Sequence, residues 1–401
     1  MNAGLAVWLF AKLALFFGHR VHAETTDFAV FRAGWWLALH DPRHLYDAAA
    51  QAAVERRFMQ AIGSPGFVNG LLAFLHPPHL ALAGVWIAWL GDHTSGRAVT
   101  FVWLACNLGL LAVLVVQIRR ELALDRDGTL AAAAAILGFY PVWTTLSQGQ
   151  FSVLLAVAVL GLAAALDAGR PWRAAGWLLV LTFKPQLVPA VAAAVVARRD
   201  WRALGASAVV GLVAAGLTVA VLGVHVWGDW ALAVRGLERT YGGGAAAVMP
   251  TLRGLLARTF PALVGARLEA IGLALWIAGA LAVLIVVSLD QRSGGQGDAR
   301  RAVGFGLAVA LVTSPHLYGH DLLLWAVPTT WVLAVARGQP AWRMGVVLAL
   351  AWPVWALLGQ LADQSDAWPP RLPVDPRLLP IAMAFVASVA ARRRSVLGGG
   401  T

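Results

Sequence analysis

Charged side chains are scarce in this chain. Only 13% of its 401 residues are Asp, Glu, Lys or Arg, against about 25% in an ordinary soluble protein. It has one cysteine, Cys106, which excludes an internal disulfide and a thiolate metal site. There is no phosphate-cradling G-x-x-x-x-G-K-[ST], no zinc-binding H-E-x-x-H and no nucleophile elbow G-x-S-x-G in a suitable context. Residues 19–96 lack the D-x-D pair expected of a metal-dependent sugar-nucleotide mechanism, and no soluble nucleotide-binding domain is visible.

What fills the chain instead is oil. Hydrophobic residues make up 60% and the mean hydropathy is +0.71. Apolar runs of roughly 15–22 residues recur from end to end, which predicts a multi-pass helical membrane protein. The net charge of +11 sits in short breaks: Arg119/Arg120/Arg126, Arg170/Arg173, Arg198/Arg199/Arg202, Arg292/Arg300/Arg301, Arg337/Arg343 and Arg392/Arg393/Arg394. Short basic loops are retained on the cytoplasmic side, so the charge reports topology and argues against nucleic acid as a partner. Val21-His22-Ala23 resembles a signal cleavage site, but no basic region precedes it and Lys12 interrupts the apolar run. An uncleaved first helix is expected.

Placing every arginine cluster inside predicts spans near 3–18, 97–118, 129–146, 150–167, 173–183, 185–198, 203–223, 266–288, 302–315, 321–336, 342–360 and 376–391. The expected fold is therefore all-α: a single polytopic domain, 1–401, of about 12 transmembrane helices. Its external loops are 19–96 and 224–265, and 395–401 is a flexible Gly-rich tail. His76-Pro77-Pro78-His79 would break a crossing at 70–90, so an interfacial or re-entrant helix is expected to start at Pro77. Lys184-Pro185 likewise divides "GWLLVLTFKPQLVPAVAAAVV" into two half-length helices meeting outside. In the first loop, Phe28, Phe31, Trp35 and Leu39 share one helical face, expected to rest at headgroup depth. In the second, "TLRGLLARTF" groups Leu252, Leu255, Leu256 and Phe260 away from Arg253 and Arg258.

This topology collects Asp27, His76, His79, Gln148, Gln150, Lys184, His316, His320 and Asp321 on the outer face. Polar groups at the ends of apolar helices are costly and commonly serve one site. A carboxylate beside basic and amide groups at the water–lipid boundary suits transfer between a lipid-borne anion and a hydroxyl. Asp27 is the candidate general base. Lys184 or a histidine is the candidate partner for the departing phosphate. Arg32, His76, His79, Gln148, Gln150, His316 and Asp321 complete the substrate-binding candidates. His316, His320 and Asp321 form too weak a pattern for a metal, and neither metal nor cofactor is expected.

The order "TTDFAVFRAG", "LYD", "HPPHLAL", "LSQGQFSVLL", "LTFKPQLVPAVAAAVVARRDWRA", "TLRGLLARTF", "SPHLYGHDLLLW" resembles glycosyltransferase family 87 of the GT-C membrane transferases, from about residue 20 to 330. The resemblance implies a catalytic acid at Asp27 and a functional histidine at His320. It also implies a glycine–glutamine motif at Gly149-Gln150 and a lysine–proline motif at Lys184-Pro185. It further implies a polyprenyl phosphate sugar as donor, mannose above all, an extracytoplasmic lipid or glycan acceptor, and inversion at the anomeric carbon. The implied location is a bacterial plasma membrane, with the site on the extracytoplasmic side and membrane lipids all round. Ser152 and Met249-Pro250-Thr251 depart from the Asn and Asn-Gln-Ser common in relatives, as does Leu317-Tyr318-Gly319-His320-Asp321 in the late motif. The rival expectation, a transporter or flippase for a lipid-linked sugar, shares the broken helices, but no repeated halves are visible.

Overall fold

In a computed structural model, residues 27–61, 72–236, 246, 249–260, 262–292 and 298–335 are described. The expected spans 3–18, 342–360 and 376–391, Lys12 and the tail lie outside these residues. All regular structure among the described residues is helical. Among the described residues, three helices are long and apolar enough to cross a membrane: α5 (Gly96–Glu121), α11 (Trp201–Leu222) and α14 (Ala266–Arg292). They coincide with three of the expected spans, and the chain is an integral membrane protein.

Other spans are realised as shorter pieces. The expected helix 129–146 is broken at Phe139 into α6 (Arg126–Gly138) and α7 (Tyr140–Gln148). Pro141 is the cause: in a continuous helix it has no N–H for the Leu137 carbonyl, and its ring would crowd that carbonyl. Counted as one bent crossing, the pair would be a fourth span. The Lys184-Pro185 break is present, with α9 (Pro171–Leu181), a 3-10 turn (Pro185–Leu187) and α10 (Val188–Ala197) in succession. The expected helix 321–336 opens instead as a 3-10 helix (Gly319–Trp325) before α16 (Ala326–Val335). After Pro77, α3 (Pro78–Ala83) and α4 (Val85–His93) have six and nine residues, too short for a crossing.

The chain divides into two compact units. The first comprises residues 1–111, 144–188 and 200–243. At its centre lies α1 (Asp27–His40), packed on α2 (Ala48–Ala61), α3 and α4. The aromatic face of α1, expected to rest against headgroups, is covered by protein. Phe28, Phe31 and Trp35 are at most 1% exposed and pack inside the protein, because α1 is apolar on nearly all sides and such a helix belongs in a core. Gly34 and Gly84 make this possible, since a Cβ at either would strike Phe74 or Trp35. Beside it, α8 (Ser152–Asp167) and α11 pack on α9. Most of α11 is exposed, Leu212 at 73%, as suits a lipid-facing surface.

The extended segment 74–76 shows how the first unit fixes a non-helical backbone. Gln51 Nε2 donates to the Phe74 carbonyl, Trp230 Nε1 to that of Leu75 and Tyr46 Oη to that of His76, at 3.3, 3.0 and 2.6 Å. Three elements thus satisfy three consecutive carbonyls that no helix could serve. This hardware holds His76 and launches α3.

Glu55 of α2 is 1% exposed, and neither carboxyl oxygen has a well-formed hydrogen bond. Burial pushes it from the ordinary 4.5 up to about 8, partly offset by the Leu72 backbone and the Arg56 charge. The folded chain therefore keeps a proton that the unfolded chain releases above pH 4.5, so this group's contribution to stability is lost as pH rises from 4.5 to 8. Glu55→Gln should raise the melting temperature clearly at pH 8 and little at pH 5. An equal shift at both would contradict the assignment.

Among the described residues, the second unit comprises 112–143, 189–199, 246, 249–260, 262–292 and 298–335. Here α14 packs on α15 (Ala299–Thr313) and on α13 (Leu252–Thr259). The contacts are close because glycines stand where side chains would collide: Gly279 against Thr313, Gly304 against Trp331 and Gly306 against the Ala190 carbonyl. At the arginine-rich end, Arg300 Nε lies 2.7 Å from Glu121 Oε2.

Candidate active site

In the first unit, Asp27 is the first residue of α1 and is half-buried. Its Oδ2 accepts a 2.6 Å hydrogen bond from Gln150 Nε2. The turn that delivers Gln150 is legible in "LSQGQF". Gly149 N–H donates to the Leu146 carbonyl and Gln150 N–H to that of Thr145, closing α7 in a Schellman arrangement with Gly149 at φ +66°. A Cβ on Gly149 would also lie 2.5 Å from Phe28 Cβ. Trp103 Nε1 donates to the Gly149 carbonyl at 2.6 Å while its ring stacks on Phe28. Gly149→Ala combines a left-handed φ, costing about 1–2 kcal/mol, with a backbone-level collision. It should lower thermal stability and uncouple Gln150 from Asp27; wild-type stability and activity in that variant would show the turn to be dispensable.

Lys184 follows the end of α9 opposite Arg170 and Arg173 and is 4% exposed. It is not a snorkelling lysine. Its Nζ lies 5.5 Å from the centroid of Phe151, the residue after Gln150. The two-residue step Gln150-Phe151 therefore meets the acid through Gln150 and the ammonium through the Phe151 ring. Phe151 also packs on Phe31 and His76, with centroids 5.2 and 5.4 Å away. His76 Nδ1 is 3.2 Å from the Phe183 carbonyl.

His79 lies 2.7 Å from Thr182 Oγ1 through Nε2, between the rings of Phe183 and Trp227. Burial holds it down at about 4, so it is a neutral imidazole at physiological pH and supplies no charge to a phosphate. The Arg32 guanidinium lies over the Phe58 ring at 4.3 Å. Gln148, half-exposed, ends α7.

The late motif belongs to the second unit. Ser314 Oγ donates to the His316 carbonyl and accepts its N–H, at 2.9 and 3.3 Å. His320 and Asp321 are 4% and 2% exposed, with Nε2 and Oδ2 3.5 Å apart. Tyr318 N–H donates to Asp321 Oδ2 at 3.4 Å, which holds the carboxylate at the start of the 3-10 helix. Among the described residues, no three His, Cys, Asp or Glu side chains group closely enough to hold a metal ion.

Arg253 departs from the amphipathic reading of α13, which grouped Phe260 with the leucines and set Arg253 and Arg258 apart. It is 5% exposed, whereas Phe260 is 55% exposed. Its Nη1 donates to the Pro315 carbonyl at 2.8 Å, and Gly272 of α14 leaves room for its methylenes. It anchors the serine–proline turn. The sequence signal, a glycine at 272 opposite an arginine, is visible only once the two helices are paired.

The model of glycosyltransferase family 87 matches residues 74–315. The chain belongs to glycosyltransferase family 87. This membrane glycosyltransferase carries His76, His79, Gln148, Gln150, Lys184 and Arg253 inside the matched stretch, while Asp27, His316, His320 and Asp321 flank it. Comparison with curated proteins and with solved structures finds no significant match.

Proposed function

We propose that this family 87 transferase moves a hexose, mannose in the first instance, from a polyprenyl phosphate carrier to an extracytoplasmic lipid or glycan acceptor, with inversion. The observation that carries the reading is the Asp27–Gln150 hydrogen bond with Lys184 beside Phe151. It places a half-buried carboxylate and a buried ammonium on two consecutive residues. The acceptor oxygen bonds to the anomeric carbon as the bond from that carbon to the phosphate oxygen breaks. Asp27 takes the hydroxyl proton, and the polyprenyl phosphate departs with the electron pair. A single displacement of this kind inverts the centre.

Lys184 stabilises the charge that grows on the phosphate, where a fixed cation is most effective. Within the second unit, His320, its Nε2 3.5 Å from Asp321 Oδ2, and His316 are further candidates for substrate contacts; within the first, Gln148 is another. The setting is the plasma membrane of a bacterium, with the chemistry on its outer face.

The test uses purified protein in vesicles with radiolabelled polyprenyl phosphate mannose and a bacterial membrane lipid extract. A new labelled lipid or glycan, with release of polyprenyl phosphate, is the expected result. Absence of product with folded protein would overturn the proposal.

A further inference from the structure

The amide of Gln150 is only half used. Its Nε2 is committed to Asp27 Oδ2, and because a carboxylate only accepts, the orientation of the amide is fixed by chemistry. That leaves Oε1 as an acceptor. It is buried, in a side chain 5% exposed, and has no hydrogen-bond partner. Buried polar atoms are nearly always partnered, and a carbonyl-type oxygen left without a donor is costly. An amide needed merely to orient Asp27 would gain by satisfying this oxygen with a neighbouring hydroxyl or N–H.

Two features make the oxygen a recognition element. It belongs to the same amide that grips the candidate base, so it sits about one amide width beyond the contact with the carboxylate. Adjacent hydroxyls on a sugar or cyclitol ring lie about 3 Å apart, close to one hydrogen-bond length, so such a pair can address both acceptors together. The following residue, Phe151, packs with Phe31 behind the half-buried His76 ring, a flat partner for the apolar face of a sugar ring. Approach is from the side of Asp27, the more exposed of the two residues.

We infer that Gln150 Oε1 accepts a hydrogen bond from the hydroxyl next to the reacting one, making Gln150 the residue that selects acceptors carrying two neighbouring hydroxyls. The inference rests on the proposed reaction and adds a requirement to it. A lone alcohol satisfies Asp27 alone and leaves the oxygen bare, whereas a ring with adjacent hydroxyls satisfies both.

The experiment compares octyl mannoside with its monodeoxy analogues as acceptors, donor held constant, for wild type and for Gln150→Met, which keeps the length but not the amide. In wild type, one monodeoxy analogue that retains the reacting hydroxyl should lose about tenfold or more in kcat/KM. In Gln150→Met the same ratio should fall to about one, whatever happens to the absolute rate. A purely structural Gln150 would slow all acceptors equally and leave the ratio unchanged, and that result overturns the inference. If the variant does not fold, the wild-type series alone decides: equal use of every monodeoxy analogue, or of octanol, also overturns it. Transfer to the membrane lipid extract but to no octyl mannoside overturns the inference alone. Transfer to neither removes the proposed function as well.

Discussion

Asp27→Asn should lower the rate of sugar transfer by about 10²–10⁴-fold in protein that remains folded, the range over which a general base contributes. Asparagine keeps the shape of the side chain and can still meet the Gln150 amide through its own oxygen. What it loses is the capacity to take a proton from the acceptor hydroxyl. Because Asp27 opens α1, a second effect is expected: a carboxylate in the first turn is favourable with the helix dipole, and its loss should cost a few tenths of a kcal/mol up to about 1 kcal/mol. That is too small to unfold the chain, so the rate and stability effects are separable. Asp27→Glu, which restores the base on a longer arm, should recover only part of the rate. Full activity in Asp27→Asn, measured as transfer per folded protein, would remove Asp27 from the chemistry.

Lys184→Gln should lower kcat by about 10²–10³-fold, comparable with the loss of one preorganised donor at a site of developing charge. The loss should appear in kcat more than in KM for the donor, because the ammonium is worth most when the phosphate takes on its full leaving-group charge. Lys184→Arg should recover little. The lysine is 4% exposed against the face of Phe151, and a planar guanidinium at that site would need a different approach. Rates within twofold of wild type for Lys184→Gln would assign the lysine to the fold.

Much of this arrangement is legible in the sequence. The expected spans 129–146 and 150–167 leave a break between them, and the structure closes α7 there, with Gln150 on Asp27. Lys184-Pro185 reads as a break between two half-length helices, and the break is there. Pro77 reads as the start of an interfacial or re-entrant helix, and α3 begins at Pro78, capped by Pro77.

The misreadings share one physical cause. Patterns that sort apolar from polar faces assume water outside, and in this chain the outside is lipid. Leu212 and Val213 are more than half exposed on α11, whereas Arg253, Glu55 and Gln150 are at most 5% exposed. The aromatic side chains of α1, expected at headgroup depth, are covered by protein, and Arg253, set apart from the apolar side of α13 by the pattern, is buried. Nor does local sequence reveal Gln51, Tyr46 and Trp230 as side chains serving the carbonyls of residues 74–76, because those contacts join elements up to 155 residues apart.

The central claim is that Asp27 receives the acceptor's proton. The most direct test is the pH dependence of kcat/KM for transfer, in wild type and Asp27→Asn, with donor and acceptor fixed. The account predicts an acid limb in wild type, as a general base requires, and its absence from the residual activity of Asp27→Asn. The same acid limb in both proteins would contradict it.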